Sequence, residues 1–199
     1  MVDEEPLKYT EQTEYPGVQK SDLFVFVGEK IEVVELEPPN GEVWFDAGFD
    51  AKYRVVDKVY GEFNGNIIEF RAFDHYGYPP FAKSTNALLF VSKYQGKLYH
   101  EKYQYYSVYR TIDGSWASCG DPYIGMDYHR KPFTPKALTF PEPIKFDLAE
   151  YTAEQRKAMF TEPYFEILNG WAICKMGAFV DELFQIKRDG VLKARGVGQ

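Results

Sequence analysis

Residues 51–73, "AKYRVVDKVYGEFNGNIIEFRAF", decide the fold class. In the first ten, Tyr53, Val55 and Val59 fall on one face while Lys52, Arg54 and Lys58 fall on the other. That is the two-residue period of a strand with one buried side. Asn64–Gly65 supplies a turn, and the chain returns with Ile68, Phe70 and Ala72 on a common side. Two alternating runs joined through Asn–Gly make a β-hairpin.

Strand signals continue in both directions from this hairpin. Upstream, "DLFVFV" is continuously apolar, as expected of a strand covered on both faces, and "EKIEVVEL" follows with only Gly28 between, a sign of a bulge or bend. "EPPNGE" ends that run with turn chemistry. Downstream, "NALLFVS" is a second two-sided strand, and "KYQGK" turns it into "LYHEKYQYYSVYRTI". In that strand Tyr99, Tyr103, Tyr105 and Tyr109 fall on one face, with Lys102, Gln104 and Arg110 on the other. "DG" then leads into "SWAS". At least six β segments at short spacing, with no helix among them, predict a mainly β, antiparallel barrel or sandwich over residues 21–120, with Val55, Phe70, Leu89 and Val91 in its core.

Residues 1–20 are polar and Pro/Gly-punctuated and are expected to form a loose arm. Residues 121–150 carry Pro122, Pro132, Pro135, Pro141 and Pro143, a density that disfavours ladders and helices alike, so an irregular connection is expected there. The segment 151–199 is expected to form an extension packed on the barrel. It opens with a helix over "TAEQRKAMF", where Thr152 and Gln155 have capping-box spacing. Asn169–Gly170 and Asp189–Gly190 then punctuate "YFEIL", "WAICKM", "LFQIK" and "VLKAR", which predict β-hairpins.

The strands "SDLFVFVGEKIEVVE", "AKYRVVDKVYGEFNGNIIEFRAF" and "NALLFVSKYQGKLYHEKY" resemble, in that order, the OB-like barrel of the netrin-type module, shared by tissue inhibitors of metalloproteinases and by bacterial secreted proteins. The resemblance covers residues 21–118. It implies an extracytoplasmic binding module. Those inhibitors reach a protease zinc through an amino-terminal cysteine, and nothing before Cys119 is a cysteine here, so that route has no residue to carry it.

The 199 residues are 45% hydrophobic and 27% charged, which suffices for a real core and argues against disorder. A formal net charge of −7 repels a phosphate backbone. The basic run Lys187, Arg188, Lys193 and Arg195 is interrupted by Asp189, and its ordinary reading is the solvated face of a hairpin. Nucleic acid is therefore not expected as a partner; a protein or a small molecule is. No apolar run is long enough for a membrane span. An exported protein is expected, its signal segment lying outside this sequence, with a cytoplasmic protein as the alternative. Cys119 and Cys174 fit either two buried thiols or one bridge.

Catalytic signatures are sparse. The sequence has only His75, His100 and His129 to serve as a nucleophile's base, and no G-x-S-x-G elbow or phosphate-cradling glycine loop. Neither a cofactor nor a metal is expected: the nearest approach to a zinc set is Asp127 and His129 with Asp121 nearby, whose ordinary reading is a surface loop of solvated polar side chains. The stretch "AFDHYGYPPFAK" places His75, Tyr76 and Tyr78 on a connection at one end of the barrel, where OB-like folds carry ligands. There, too, the plain alternative is a turn in which Asp74 accepts backbone bonds. The candidate ligand-binding residues are thus His75, Tyr76, Tyr78, Asp121, Asp127 and His129. The expected function is a non-enzymatic binding or interaction module; the alternative is a hydrolase using the Asp and His residues of these two loops.

Overall fold

A computed structural model describes residues 23–39, 43–126 and 130–197. The hairpin that decides the fold class is present as β2 (Ala47–Tyr60) and β3 (Ile67–Asp74), paired antiparallel from Arg54 opposite Ile67 to Ala47 opposite Asp74. With β1 (Leu23–Leu36), β4 (Asn86–Tyr94) and β5 (Lys97–Ser107) it closes into a five-stranded barrel in the order β1-β2-β3-β5-β4. Antiparallel pairing of β1 with β4 closes the ring, and the contact of β3 with β5, at Arg71 and Tyr99, is parallel.

The continuously apolar strands serve two cores. On β1 and β4, Phe26, Ala87, Leu89 and Val91 point into the barrel among Tyr53, Ile68, Phe70 and Phe81. Their neighbours Leu23, Val25, Val27, Leu88 and Phe90 point outward into a second core with Trp116, Leu183 and Leu192. A strand buried on one face would have alternated; these two could not. Phe70, Leu89 and Val91 are buried as expected, and Val55 is half-buried against the same core. At Gly28 the register of β1 against β2 shifts, and a Cβ there would lie 2.9 Å from the rings of Phe26 and Tyr53. The glycine lets the strand bend over those rings.

The outer core is roofed by the first of two smaller sheets, through Trp116 and Ala178, and both sheets share a third core with Ala117, Phe165 and Ala172. One has the order β6-β7-β12-β8, from β6 (Tyr109–Arg110), β7 (Trp116–Cys119), β8 (Lys136–Ala137) and β12 (Met176–Phe179). The other has the order β10-β11-β9, from β9 (Lys145–Asp147), β10 (Phe165–Leu168) and β11 (Trp171–Cys174). "SWAS" therefore pairs with β12 and not with the barrel, whose strands end at Ser107. A disulfide between Cys119 on β7 and Cys174 on β11 joins the two sheets, with Cα atoms 5.8 Å apart. Helix α1 (Ala153–Met159) begins as expected, Thr152 and Gln155 completing the capping box. Asn169 and Gly170, both at positive φ, turn β10 into β11.

The last expected hairpin is absent. "LFQIK" lies in a second helix, α2 (Val180–Lys187), and "VLKAR" continues it through a wider turn kinked at Gly190. Val180, Leu183, Phe184 and Lys187 are its buried face, at i, i+3, i+4 and i+7. That is helical spacing, and the lysine in the fourth position hides it from a count of apolar residues. Glu182 helps to start the helix by accepting the Phe179 N–H. Among the described residues no helix is long and apolar enough to cross a membrane.

Leu89 has no exposed surface and sits where β4 faces the barrel interior. Leu89→Ala is expected to cost about 2–5 kcal/mol in denaturant unfolding, as a cavity-forming core truncation does. The bridge closes a loop of sequence separation 55. Thiol titration of the unfolded, unreduced protein should find no free thiol, and replacing both cysteines by alanine should lower stability by up to about 4 kcal/mol on the chain-entropy account.

Candidate functional site

The site grows from an irregularity in β5. Leu89 of β4 pairs with Tyr105, yet two residues on, Val91 pairs with His100. Glu101, Lys102, Tyr103 and Gln104 therefore stand opposite Phe90 alone. The excess is absorbed by Tyr103, whose φ is 66°, an uncommon conformation for a bulky side chain. Three interactions within or against the barrel hold the bulge. The His100 Nε2–H donates to the Gln104 carbonyl at 2.9 Å, Gln104 Nε2 donates to the Lys102 carbonyl at 3.1 Å, and Ser92 Oγ donates to Glu101 Oε1 at 2.5 Å. Arg195 ties in the carboxy-terminal segment, reaching Glu101 Oε2 at 3.4 Å and the Lys102 carbonyl at 3.1 Å.

The bulge also breaks the expected tyrosine face. Tyr99 lies outside the barrel beside Phe73 and Tyr94, Tyr105 approaches Phe81, and Tyr109 belongs to β6. Gln104, expected on the same face as Lys102 and Arg110, is buried. What the bulge projects instead is Lys102 and Tyr103. Lys102 Nζ donates to Asp46 Oδ2 at 2.5 Å. Burial pulls the Lys102 ammonium down, but the hydrogen bond and charge of Asp46 outweigh it and hold the pKa above the ordinary lysine value.

Asp46 and His75 meet because the β2–β3 ladder ends at Ala47 opposite Asp74, which leaves their next residues facing each other. Asp46 is 5% exposed, and its Oδ1 lies 3.4 Å from His75 Nδ1. Phe45 stacks on the His75 ring at 4.6 Å, His75 meets the edge of Tyr76 at 5.3 Å, and Tyr76 reaches Tyr103 at 6.1 Å. Phe45, Tyr76 and Tyr103 are 79%, 87% and 41% exposed, so the four rings form a continuous outward ridge. Asp74 holds the turn beneath it, accepting the Tyr76 N–H at 2.9 Å. Tyr78 stands apart, half-exposed and edge-on to Phe49. Pro80 opens a short 3-10 turn that drives Phe81 into the barrel.

Beyond Tyr103 lies a cavity of about 300 Å³ between β5, the segment after β7, and the extension. Tyr106, Asp121, Met126, Phe165 and Lys187 are among its walls. Asp121 is already engaged: Oδ1 accepts the Tyr123 N–H at 3.0 Å, and Oδ2 pairs with Arg130. A larger hollow, about 560 Å³, lies over the outer face of β2 and β3, where Lys52 pairs with Glu69 at 2.7 Å and Arg71 with Asp50 at 3.1 Å. These two pairs are largely exposed, as on a solvated sheet face.

No family model, curated protein or solved structure matches this chain. The site therefore rests on its geometry. Of the sequence candidates, His75 and Tyr76 come together on the ridge, Tyr78 lies off it, and Asp121 lies in the cavity wall. Asp127 and His129 fall outside the described residues. Phe45, Asp46, Lys102, Tyr103 and Lys187 are the members that sequence reasoning missed. Among the described residues no group of three or more His, Cys, Asp or Glu side chains is arranged to hold a metal.

Burial pulls the His100 imidazole down to about 3, so it is neutral in the folded protein. Its folded pKa lies below the unfolded value near 6.5, so its contribution to stability is complete above that pH and is lost as pH falls toward 3. Urea unfolding at pH 6.5 and 4.5 should show about 2–3 kcal/mol more loss for the wild type than for His100→Gln, which keeps a donor but cannot charge.

Proposed function

We propose that this chain is a non-enzymatic binding module acting outside the cytoplasm, an OB-like barrel of the netrin-module kind that holds a polypeptide partner against the Phe45–His75–Tyr76–Tyr103 ridge. The observation that carries the reading is the ridge itself: contiguous, largely exposed rings on a base clamped by the buried Asp46 carboxylate. Isolated exposed aromatics are ordinary on a protein surface, but a contiguous and immobilised group of them has the composition of an interface centre. Phe45 and Tyr76 stand out from the surface, which suits another protein better than a small molecule enclosed by a concave site.

The barrel order β1-β2-β3-β5-β4 supports the OB-like assignment, as does the position of Phe45 at the end of the β1–β2 connection, a loop such folds use for ligands. The Cys119–Cys174 bridge supports an oxidising compartment. The hydrolase alternative needs two acids converging on His75 or on His129, and His129 falls outside the described residues. At His75, among the described residues, Asp46 alone pairs with the ring, and Lys102 already shares that carboxylate.

A photo-crosslinking residue at position 76, incubated with secreted proteins of the native source, should trap one species. A crosslinker at the exposed Ile167 on β10 should not. The purified species should then bind the wild type and lose about tenfold or more in affinity for Tyr76→Ala, a change of at least about 1.4 kcal/mol. Tyr76→Ala should alter stability by less than about 0.5 kcal/mol, because the ring is exposed. Equal trapping at 76 and 167, or unchanged affinity, rejects the ridge as the interface.

A further inference from the structure

Helix α2 spends one position of its buried face on a charge. Val180, Leu183 and Phe184 fill the outer core, while Lys187, one turn on, is only 6% exposed. An apolar residue there would continue the face; a buried ammonium has to be compensated for its lost hydration. The compensation visible around Nζ is soft. Met126 Sδ lies at 3.5 Å and the face of Tyr106 at 4.8 Å. Among the described residues no carboxylate lies within ion-pair distance of it.

Among the described residues, the charged groups nearest to it are already engaged. Arg195 repels it and is held by Glu101, Asp121 is paired with Arg130, and the Tyr106 hydroxyl donates to the Pro122 carbonyl at 2.9 Å. Arg188, next along the helix, packs against the Phe184 ring. Burial lowers the Lys187 pKa to about 8, with Arg195 adding to the effect. Near neutral pH the group is still mainly a cation. It lines the cavity of about 300 Å³, whose other walls include Tyr106, Met126, Phe160 and Phe165.

We propose that this cavity binds a small organic acid, its carboxylate on Lys187 Nζ and its apolar or aromatic body among Tyr106, Met126 and Phe165. One desolvated ammonium in a pocket of rings and thioethers matches a monoanion with a hydrophobic body. A phosphate would ask for more than one positive charge, and among the described lining residues Lys187 is the single cation, with Asp121 on the same wall. The site goes beyond the binding reading above and shares only Tyr103 with the ridge, so either can fail without the other.

Phenylacetate and its uncharged counterpart phenylacetamide are the probes, titrated calorimetrically into the whole chain at pH 7. The acid should bind about tenfold or more tightly than the amide, the equivalent of at least about 1.4 kcal/mol. The preference should vanish in Lys187→Met, which keeps the stem and volume but removes the charge, and should persist in Tyr76→Ala. Raising the pH from 7 to 9.5 should weaken the acid by about tenfold or more while leaving the amide unchanged, as the free amine loses its proton. Should Lys187→Met not fold, acetylation of Lys187 in the wild type, mapped by mass spectrometry, gives the answer: phenylacetate should protect it and phenylacetamide should not. Failure of both probes to bind, equal affinity for the two, a preference retained in Lys187→Met, or acetylation indifferent to phenylacetate overturns the proposal.

Discussion

The barrel depends on one mismatch of strand lengths. β5 must pair with β4 along both its halves while carrying four residues where β4 has one. Backbone polar groups released by such a mismatch cannot be left bare beside a core, so the Gln104 and Lys102 carbonyls accept from His100, Gln104 and Arg195, while Ser92 anchors the Glu101 side chain. The same distortion aims Lys102 at the Asp46 carboxylate, stands Tyr103 up beside Tyr76, and brings Glu101 to the carboxy-terminal Arg195. One irregular stretch thus fixes the barrel end, the entrance to the cavity and the attachment of the last segment. Bulges in sheets commonly re-aim side chains beside functional sites.

The second constraint is the sharing of β1 and β4 between two cores. Their inward residues hold the barrel and their outward residues hold the roof, so the extension covers a face that could not otherwise meet water. Helix α2 lies on that face and ends at Lys187, which places a buried ammonium where barrel and extension meet. The cavity is a product of that junction.

The barrel was legible in the sequence because its signals are local. A two-residue period in 51–73, unbroken apolar runs in β1 and β4, and glycine or Asn–Gly turns between them need no knowledge of distant contacts. The capped helix at 153–159 was legible for the same reason. Helix α2 was not, since its helical spacing is complete only if Lys187 is admitted to the buried face, and short apolar runs do not distinguish strand from helix. The tyrosine face failed where the period itself broke, at Tyr103. In the site, His75 and Tyr76 could be found as polar and aromatic residues on an end loop. Asp46 and Lys102 could not, because their pairing joins residues 56 positions apart through a register that exists only once the barrel has closed.

The bridge between β7 and β11 turns a linear segment into a ring. Everything from Cys119 to Cys174, including the proline-rich connection, α1 and the β10–β11 turn, belongs to one covalent circle. A protease that cuts one peptide bond inside that circle opens it without releasing a fragment, and the two pieces part only when the cystine is reduced. A cut between β2 and β3 has no such insurance, since only non-covalent pairing would hold the halves together. The covalent circle therefore allows any peptide bond between the two cysteines to be nicked while the molecule stays in one piece.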